Sequence, residues 1–330
     1  MKKIFITGGG GYVGHVLVPR LLKNYKVTVF DTFYFENKLP INSNLNIIQG
    51  DIRDVIKLEH SSKNHDIFIN LACISNDSSF ELNESLSTSI NLDAFEPMVQ
   101  IAKKNNIKRF IYASSSSVYG VSDKPNVTED HPLVPLTLYN KYKGMCEPIL
   151  FKYTDDDFCG VVFRPATVCG YSPRMRLDLS VNILTNHAFH NKVIKVFGGN
   201  QLRPNIHILD YCRFVETLIL ANSNKINNEI FNVGSENMSI MQIAKVVQKE
   251  VQDYLDTKEK IAIEMVESSD NRSYHINSDK AYKVLGFRTE LTIKNAVKDI
   301  CDAFTNNLIN DPMNNIEHFN VKKIKSLDIS

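Results

Sequence analysis

The sequence predicts an α/β fold in which a doubly wound parallel sheet is joined to a smaller C-terminal α/β lobe. Short apolar runs of strand length alternate with helical segments through the first half of the 330 residues, as expected for repeated β-α units. Four consecutive glycines at 8–11 follow the first of these runs directly, and they indicate a tight turn from strand to helix. Repeated units of this kind form a parallel sheet with helices on both faces and right-handed crossovers.

The elements of the first half follow from the apolar pattern. Short runs rich in β-branched and aromatic residues predict strands, and longer segments with apolar residues three or four positions apart predict helices. The predicted strands are 2–7, 26–30, 46–49, 66–72, 107–114 and 158–163. The predicted helices are 15–23, a short one that ends near 60, 84–105 and 136–154.

The alternation stops after Arg164-Pro165, because prolines, asparagines and the Gly198-Gly199 pair interrupt it. The segments predicted to return to the main sheet are 205–208, 210–221 and 229–233. The elements predicted for the smaller lobe are helices at 239–251 and 293–304 and a strand at 261–265. We expect the polar stretch from 306 to pack loosely. The predicted domains are 1–170 and 171–330, interleaved through the returning segments.

Composition and charge argue against several classes of function. The formal net charge of +1 gives no electrostatic reason to bind nucleic acid or an anionic membrane. There is no apolar run long enough to span a membrane and no signal-peptide pattern at the start. The six cysteines are scattered, without a C-x-x-C pair or zinc-site spacing. We therefore expect a cytoplasmic protein with reduced thiols and no metal, nucleic-acid or membrane partner.

Residues 3–23 are typical of the phosphate-binding corner of a dinucleotide-binding (Rossmann) fold. The chain must reverse tightly, let a pyrophosphate approach the backbone and let the helix pack against the strand, and a Cβ hinders each of these. The helix start then offers free N–H groups to the phosphates. The glycines fit two registers, 9, 11 and 14 or 8, 11 and 14. An ordinary flexible turn is the alternative interpretation.

The end of the second predicted strand indicates which dinucleotide binds. Asp31 follows the glycines at about the ~20-residue separation expected for the acid that binds a ribose 2′-hydroxyl. No Lys or Arg comes after it until Lys38, so no cation near in sequence neutralises a 2′-phosphate. This favours NAD over NADP, with a plain turn acid as the alternative interpretation of Asp31.

Three further groups lie where a doubly wound sheet binds its ligands: serines 114–117 after a strand, a Y-x-x-x-K of Tyr139 and Lys143 at a helix start, and a loop at 164–168. Residues i and i+4 share a helix face, so we expect the Lys143 ammonium to lower the pKa of Tyr139 from its ordinary value of about 10. With a serine hydroxyl on the substrate oxygen, the pair can move a carbinol proton while a nicotinamide exchanges hydride. Taken alone, Tyr139 and Lys143 could be ordinary helix residues.

Together these motifs resemble extended short-chain dehydrogenases/reductases, of the NAD-dependent epimerase/dehydratase family that acts on nucleotide sugars. The segments that carry the resemblance are T-G-G-G-G-Y-V-G at 7–14, G-D-I-R-D at 50–54, N-L-A-C at 70–73, S-S-S-S-V-Y-G at 114–120, Y-N-K-Y-K at 139–143 and R-P-A-T-V at 164–168. The resemblance implies NAD as the cofactor and a nucleotide-diphosphate sugar as the substrate. It makes 1–170 the NAD-binding domain and 171–330 the substrate-binding lobe.

The resemblance also implies roles for single residues. Ser115, three positions before Val118, is the expected catalytic hydroxyl, with Tyr139 as acid/base and Lys143 binding ribose and tuning Tyr139. The expected cofactor-binding residues are Gly8, Gly11, Tyr12, Val13, Gly14, Asp31, Asp51, Ile52, Leu71, Ala72, Asn91, Ser114, Tyr139, Lys143 and Pro165. The expected substrate-binding residues are Ser115, Ser116, Asn182, Arg203 and Arg272. A structural role for Asn91, and plain surface positions for the last three, are the alternatives.

One departure from the family pattern bears on the reaction. Nucleotide-sugar 4,6-dehydratases follow the catalytic hydroxyl with Asp-Glu, whereas this chain has Ser116-Ser117, so we disfavour dehydration. A C4 epimerase is the preferred interpretation. A 4-dehydrogenase or ketoreductase is the alternative, because S-P-R-M-R-L-D-L at 172–179 resembles a stretch in dehydrogenases acting on GDP-heptoses.

Two other expectations come from the resemblance. Non-catalytic NAD sensors on this fold typically lose the Tyr or the Lys, and because Tyr139 and Lys143 are both present we disfavour that function. The long helices at 84–105 and 136–154 resemble the pair that forms a four-helix interface in family dimers, so we expect a homodimer.

Overall fold

The computed structural model describes residues 1–122, 124, 126–267 and 273–327. In chain order its strands are β1 (Lys3–Thr7), β2 (Lys26–Asp31), β3 (Leu45–Gln49), β4 (Ile67–Asn70), β5 (Arg109–Ala113), β6 (Cys159–Pro165), β7 (Thr167–Cys169), β8 (Val193–Phe197), β9 (Leu202–His207), β10 (Glu229–Val233), β11 (Glu236–Ser239) and β12 (Ala262–Val266).

Its helices are α1 (Gly14–Leu21), α2 (Val55–Ser61), α3 (Asp77–Phe80), α4 (Glu84–Thr88), α5 (Phe95–Lys104), α6 (Leu138–Phe151), α7 (Ser180–Asn191), α8 (Ile208–Leu220), α9 (Ser223–Ile226), α10 (Ile240–Leu255), α11 (Asp279–Leu285), α12 (Ile293–Thr305) and α13 (Asn320–Ser326). A π-helical turn covers Ser89–Asp93, and 3-10 turns cover Ser116–Tyr119 and Ile316–His318.

Seven parallel strands form the main sheet, in the order β10-β6-β5-β4-β1-β2-β3. Alternate side chains of β1 point to opposite faces of the sheet. Ile4 and Ile6 pack with Leu17 of α1 and Phe214 of α8, whereas Phe5 packs into the apolar cluster under α2, α5 and α6. Helices therefore cover both faces, and the predicted doubly wound α/β fold is confirmed.

The smaller lobe contains two short sheets. β7, β9 and β11 form a three-stranded sheet with β9 in its centre, and β8 pairs with β12 in parallel. Helices α7, α10 and α12 pack together around a separate apolar cluster that includes Val181, Val247 and Val297. The helices and the strand predicted for this lobe are confirmed as α10, α12 and β12.

One of the three returning segments does not rejoin the main sheet. β10 pairs with β6 and α8 packs on the face that α1 covers, as predicted for 229–233 and 210–221. The prediction for 205–208 is wrong, since β9 pairs with β7 and β11 instead. The physical reason is that β10 already occupies the edge of the main sheet beside β6.

The C-terminal segment packs more closely than its polar composition predicted. Ile309, His318 and Asn320 are buried. The Asn320 backbone N–H donates to Asp178 Oδ2 at 3.1 Å, and its side-chain amide donates to Ser75 Oγ at 3.0 Å. The expectation of a loose segment from 306 is wrong, because its polar groups find hydrogen-bond partners inside the protein.

The two long helices predicted at 84–105 and 136–154 are present. The first consists of α4, the π-helical turn and α5, and the second is α6. Across the described ranges, no helix combines the length and the apolarity needed to cross a membrane.

Candidate active site

One cavity of about 410 Å³ lies at the carboxyl ends of the main-sheet strands, where a sheet of this topology binds its ligands. Residues after β1, β2, β3, β4, β5 and β6 line it, together with residues from the smaller lobe. The predicted site residues that line it are Gly8, Gly11, Tyr12, Val13, Gly14, Asp31, Asp51, Ile52, Leu71, Ala72, Ser114, Ser115, Ser116, Tyr139, Lys143, Pro165 and Arg203. The tertiary structure thus brings most of the predicted positions to one place.

The turn between β1 and α1 requires glycine at two positions. Gly8 has a φ of +75°, and a Cβ there would lie 2.4 Å from the backbone nitrogen of Ala72. A Cβ on Gly14 would lie 2.1 Å from the carbonyl oxygen of Gly9. Gly9 itself packs against Val29 and is not among the lining residues. Of the two glycine registers, the geometry therefore matches 8, 11 and 14.

The start of α1 faces the same cavity. The helix begins at Gly14, and no side chain of the described residues caps its first turn. An uncapped first turn presents backbone N–H groups and a partial positive charge, which favour an anion. A close-packed glycine turn followed by an open helix start fits the diphosphate of a dinucleotide.

Asp31 ends β2 and holds the neighbouring backbone. Its Oδ2 accepts the Gly10 N–H at 2.8 Å, and its Oδ1 accepts the Phe33 N–H at 2.8 Å. Burial raises the pKa of Asp31 above its ordinary value although both N–H groups oppose the shift. The carboxylate lines the cavity at the strand end where a ribose contact was predicted.

Asp51 and Ile52 follow β3 and form another part of the wall. Burial acts to raise the pKa of Asp51, but hydrogen bonds from Arg53 outweigh it and hold the pKa below its ordinary value. Arg53 Nη2 lies 2.7 Å from Asp51 Oδ2, so the carboxylate is ionised and fixed in place. Ile52 is buried beside it.

Helix α6 carries Tyr139 and Lys143 one turn apart, as predicted from their spacing. The helix starts here because the Thr137 hydroxyl caps it, accepting the Asn140 N–H at 3.3 Å. Lys143 is buried, and its Nζ donates to the Ala113 carbonyl oxygen at 2.8 Å. Ala113 is the last residue of β5, so this bond ties α6 to the strand that precedes the serines.

The serines after β5 are ordered by short contacts. Ser115 Oγ lies 2.7 Å from Ser117 Oγ, which in turn donates to Asn140 Oδ1 on α6. Ser114 Oγ donates to Glu147 Oε1 at 2.6 Å. The Ser115 hydroxyl, oriented by its contact with Ser117, therefore faces the same cavity as Tyr139. Ser116 also lines the cavity and is buried.

The pKa of Tyr139 is shifted in the direction opposite to the one predicted from Lys143 on the same helix face. We expected Lys143 to lower it, but burial raises it well above the ordinary value, and the charges of Cys73 and Asp77 act in the same direction. The cation that opposes this shift is Arg176. The expectation is corrected because the Lys143 ammonium is directed to the Ala113 carbonyl, and desolvation dominates.

Two predicted site residues, Asn91 and Asn182, do not line the cavity. Asn91 is buried. Its Oδ1 accepts the Ile74 N–H and its Nδ2 donates to the Ile74 carbonyl oxygen, each at 2.9 Å, which favours the structural role given as its alternative. Asn182 is fully buried: it accepts from the Gly170 N–H and donates to Tyr12 Oη and the Arg176 carbonyl. Its satisfied amide argues against the expected substrate contact, and its burial contradicts the surface position given as the alternative. Arg272 lies outside the described residues.

Several cavity residues were not predicted. Arg174, Arg176, Asp77, Tyr274 and Asn320 all line it. Arg176 forms a two-point ion pair with Asp178, with N–O distances of 2.9 and 3.0 Å. The only sequence signal for the two arginines was the 172–179 stretch, which was noted but given no residue roles. No sequence signal pointed to Asn320, because it belongs to the C-terminal segment that was expected to pack loosely.

The fold and the cavity define a dinucleotide-binding enzyme of the short-chain dehydrogenase type. The profile of the NAD dependent epimerase/dehydratase family matches residues 4–234, and the chain belongs to this family. A putative UDP-glucose 4-epimerase of Methanocaldococcus jannaschii is 25% identical over 92% of this chain and 99% of its own length. A UDP-N-acetyl-alpha-D-glucosaminuronate decarboxylase of Bacillus cytotoxicus is 28% identical over 75% of this chain and 80% of its own.

Solved structures show the same fold. The crystal structure of a variant UDP-glucuronic acid 4-epimerase from Bacillus cereus matches with a TM-score of 0.82 at 24% identity, covering 92% of this chain and 99% of that one. The protein is thus an NAD-dependent enzyme of a family that acts on nucleotide sugars, and the predicted cofactor is confirmed. Its relatives include both an epimerase and a decarboxylase, so likeness alone does not assign the reaction.

Proposed function

We propose that the protein is an NAD-dependent nucleotide-sugar epimerase that oxidises the sugar transiently, at C4. The observation that carries the proposal is that Ser115, Tyr139 and Lys143 line one cavity with the glycine turn, while serines stand where a dehydratase has Asp-Glu. Epimerisation takes and returns the same proton and hydride, so one acid/base group suffices. Elimination of water needs a further acid and base.

The residues that would hold NAD follow one side of the cavity. The turn at 8–14 and the start of α1 suit the diphosphate, Asp31 suits the adenosine ribose, and Asp51 with Ile52 suits the adenine. Lys143 and Tyr139 suit the nicotinamide half. When bound, NAD supplies the acceptor for the hydride that leaves the sugar carbon and the donor that returns it.

The chain's own residues would manage the proton. The Tyr139 phenolate takes the proton of the sugar hydroxyl as its carbon–hydrogen bond breaks, and Ser115 Oγ hydrogen-bonds the same oxygen. After the keto sugar rotates and presents its opposite face, the Tyr139 phenol returns the proton to that oxygen, and the inverted alcohol forms. Lys143, held by the Ala113 carbonyl, places positive charge beneath this site.

Arg203 is the residue that we propose for the substrate's diphosphate. It lies on the smaller-lobe side of the cavity, with its guanidinium over the Tyr274 ring at 5.3 Å and Nη1 donating to the Leu202 carbonyl. Planar guanidinium groups bind phosphate oxygens at two points. With its diphosphate on Arg203, the substrate would have its sugar between Arg203 and Tyr139.

The alternative function is a 4-dehydrogenase or ketoreductase that stops after one hydride transfer. The observation that favours it is that residues of the 172–179 stretch, Arg174 and Arg176, line the cavity. Dehydration stays disfavoured. Asp77 does place a carboxylate in the cavity, but it accepts the Thr137 hydroxyl at the start of α6 and is not part of an Asp-Glu pair.

The test that separates the two candidate functions begins with the purified protein, to which no nucleotide is added. The protein is denatured, and NAD⁺ and NADH are quantified in the supernatant. Near-stoichiometric cofactor supports an epimerase, because an epimerase regenerates its cofactor in every turnover. An empty protein points to a dehydrogenase or reductase that exchanges its cofactor with solution.

Product analysis completes the test. The protein is incubated with UDP-, GDP-, dTDP- and CDP-sugars, and proton NMR follows the sugar while absorbance follows the nicotinamide band. An inverted sugar without net NADH formation supports the proposal. A stable keto sugar with stoichiometric NADH would contradict it in favour of the alternative.

We also propose that the protein is a cytoplasmic homodimer. Helix α6 exposes Met145, Pro148 and Lys141 on the face away from the sheet, and Met145 is 41% exposed. Met145 and Pro148 give this face two exposed apolar side chains beside a lysine, which suits pairing of the helix with its copy about a two-fold axis. A light-scattering mass of two chains is expected, and a mass near one chain would rule the dimer out.

A further inference from the structure

Arg174 is a buried cation without a carboxylate partner among the described residues. Its side chain is almost fully buried, with 4% of the residue exposed, and it lines the cavity. Nη2 donates to Asn320 Oδ1 at 2.7 Å, and the guanidinium lies 3.6 Å from the centre of the Phe35 ring. Within the described ranges its Nε has no hydrogen-bond partner.

Such an arrangement is costly unless an anion completes it. Buried charges in proteins are paired or bind a ligand, because leaving water costs an unpaired ion several kcal/mol. Burial and the charge of Arg176 together lower the pKa of Arg174 to about 9, although the charges of Asp178, Glu317 and Asp31 act to raise it. A neutral hydrogen-bond partner and an aromatic ring hold the group in place without cancelling its charge.

The position of Arg174 identifies the side of the cavity that it serves. Ser172, two residues earlier, donates from Oγ to the Tyr12 carbonyl at 2.7 Å, so the loop rests on the glycine turn. Phe35, on which Arg174 stacks, follows β2 and Asp31. The charge of Arg174 acts on both His15 in the first turn of α1 and Asp31. The guanidinium therefore lies between the start of α1 and the end of β2.

We propose that Arg174 binds the diphosphate of the dinucleotide cofactor, as a cation that the smaller lobe contributes to a site otherwise made by backbone N–H groups. Asn320, 146 residues further along the chain, positions it, so the C-terminal segment helps to retain the cofactor. The inference rests on the cofactor part of the proposed function and is independent of the reaction. Arg174 is far from Asp31 in the sequence, so the prediction based on the residues that closely follow Asp31 did not include this cation.

The test compares Arg174→Met with the unmodified full-length protein by isothermal titration with NAD, ADP and adenosine. We expect NAD and ADP to bind about 10- to 100-fold more weakly, the usual effect of losing a hydrogen bond to a charged group. Adenosine, which lacks phosphate, should bind equally to both proteins. Arg20→Met, which removes a half-exposed arginine paired with Glu216, is the matched control and should change none of the three affinities.

A stability measurement separates ligand binding from a structural role. Replacing an unpaired buried charge with an apolar side chain is often neutral or stabilising, so without nucleotide Arg174→Met should melt no lower than the unmodified protein. The increase in melting temperature that NAD causes should shrink. A lower melting temperature without nucleotide, together with an unchanged NAD-induced increase, would overturn the proposal. Asn320→Leu, which keeps Arg174, should weaken ADP binding less than Arg174→Met does.

Other outcomes would also overturn the proposal. Equal loss for adenosine and ADP would show that Arg174 shapes the adenosine pocket. A loss confined to NADP would assign it to a 2′-phosphate, and a loss confined to UDP or GDP would assign it to the substrate's diphosphate. If the unmodified protein does not bind NAD, the cofactor assignment itself fails. If the unmodified protein binds NAD and Arg174→Met binds it equally well, only this inference fails.

Discussion

Glu147 and Arg164 form a buried ion pair directly beneath the candidate catalytic residues. Arg164 Nη2 lies 2.6 Å from Glu147 Oε2, and each side chain is only 3% exposed. Glu147 is one helical turn beyond Lys143 on α6, and its other oxygen accepts both Ser114 Oγ and Arg164 Nε. The pair therefore ties α6, the end of β6 and the serine segment into one unit. The Arg-Pro motif read from the sequence acts here as a positioning element.

Glu147→Gln should destabilise the protein strongly. Removing one charge leaves the Arg164 guanidinium buried and unpaired, and breaking a buried pair in this way costs about 3–5 kcal/mol. The free energy of unfolding measured by chemical denaturation checks this. Glu216→Gln, which breaks the half-exposed pair with Arg20, is the control and should cost about 0–1 kcal/mol. Equal losses for the two variants would contradict the structural role given to Glu147.

Tyr139→Phe should abolish turnover while the protein keeps NAD. The phenol is the proposed proton acceptor, and losing a positioned acid/base group typically costs about 100- to 10,000-fold in rate. Turnover of the sugar that the product screen identifies, and NAD content after purification, are the two measurements. The matched control is Tyr142→Phe, on the same helix, whose ring packs edge-on against Phe80 and is not among the lining residues. Unchanged turnover in Tyr139→Phe would refute Tyr139 as the acid/base group.

Turnover should rise with pH through the neutral and alkaline range, because burial holds the pKa of Tyr139 above its ordinary value and the phenolate is the base. The charge of Asp77 contributes to this shift. Asp77→Asn removes a negative charge that disfavours the phenolate, so the pKa should fall and the acid limb of the kcat/KM profile should move to lower pH. Asp157→Asn, at a carboxylate that is 93% exposed, should leave the profile in place. A move to higher pH in Asp77→Asn would refute the assignment.

Gly8→Ala should unfold the turn, whereas Gly286→Ala should be tolerated. Both glycines have a positive φ, 75° and 68°, but only at Gly8 would a Cβ meet backbone, 2.4 Å from Ala72; at Gly286 it would meet nothing within 4 Å. The shared left-handed conformation costs about 1–2 kcal/mol, and the clash adds to it at Gly8 alone. Thermal denaturation with and without NAD checks this. Similar losses in both variants would show that backbone conformation alone requires glycine at Gly8.

The amino-acid sequence by itself determined the features that depend on short-range pattern. The alternation of apolar runs determined the doubly wound sheet, glycine spacing determined the turn at 8–14, and the i, i+4 spacing determined that Tyr139 and Lys143 share a face. Each of these depends on residues within a few positions of one another, where the geometry of a strand, turn or helix is nearly constant.

Only the tertiary structure decided the features that depend on distant partners. It placed Asn320 in contact with Arg174, 146 residues away in the sequence. It gave the side-chain amides of Asn91 and Asn182 hydrogen-bond partners inside the protein. It also placed β9 outside the main sheet. It also reversed the expected direction of the Tyr139 pKa, because burial and the nearby charge of Asp77 raise it and Arg176 opposes the rise only in part. Contacts between residues far apart in sequence are set by how whole elements pack, and no local pattern records them.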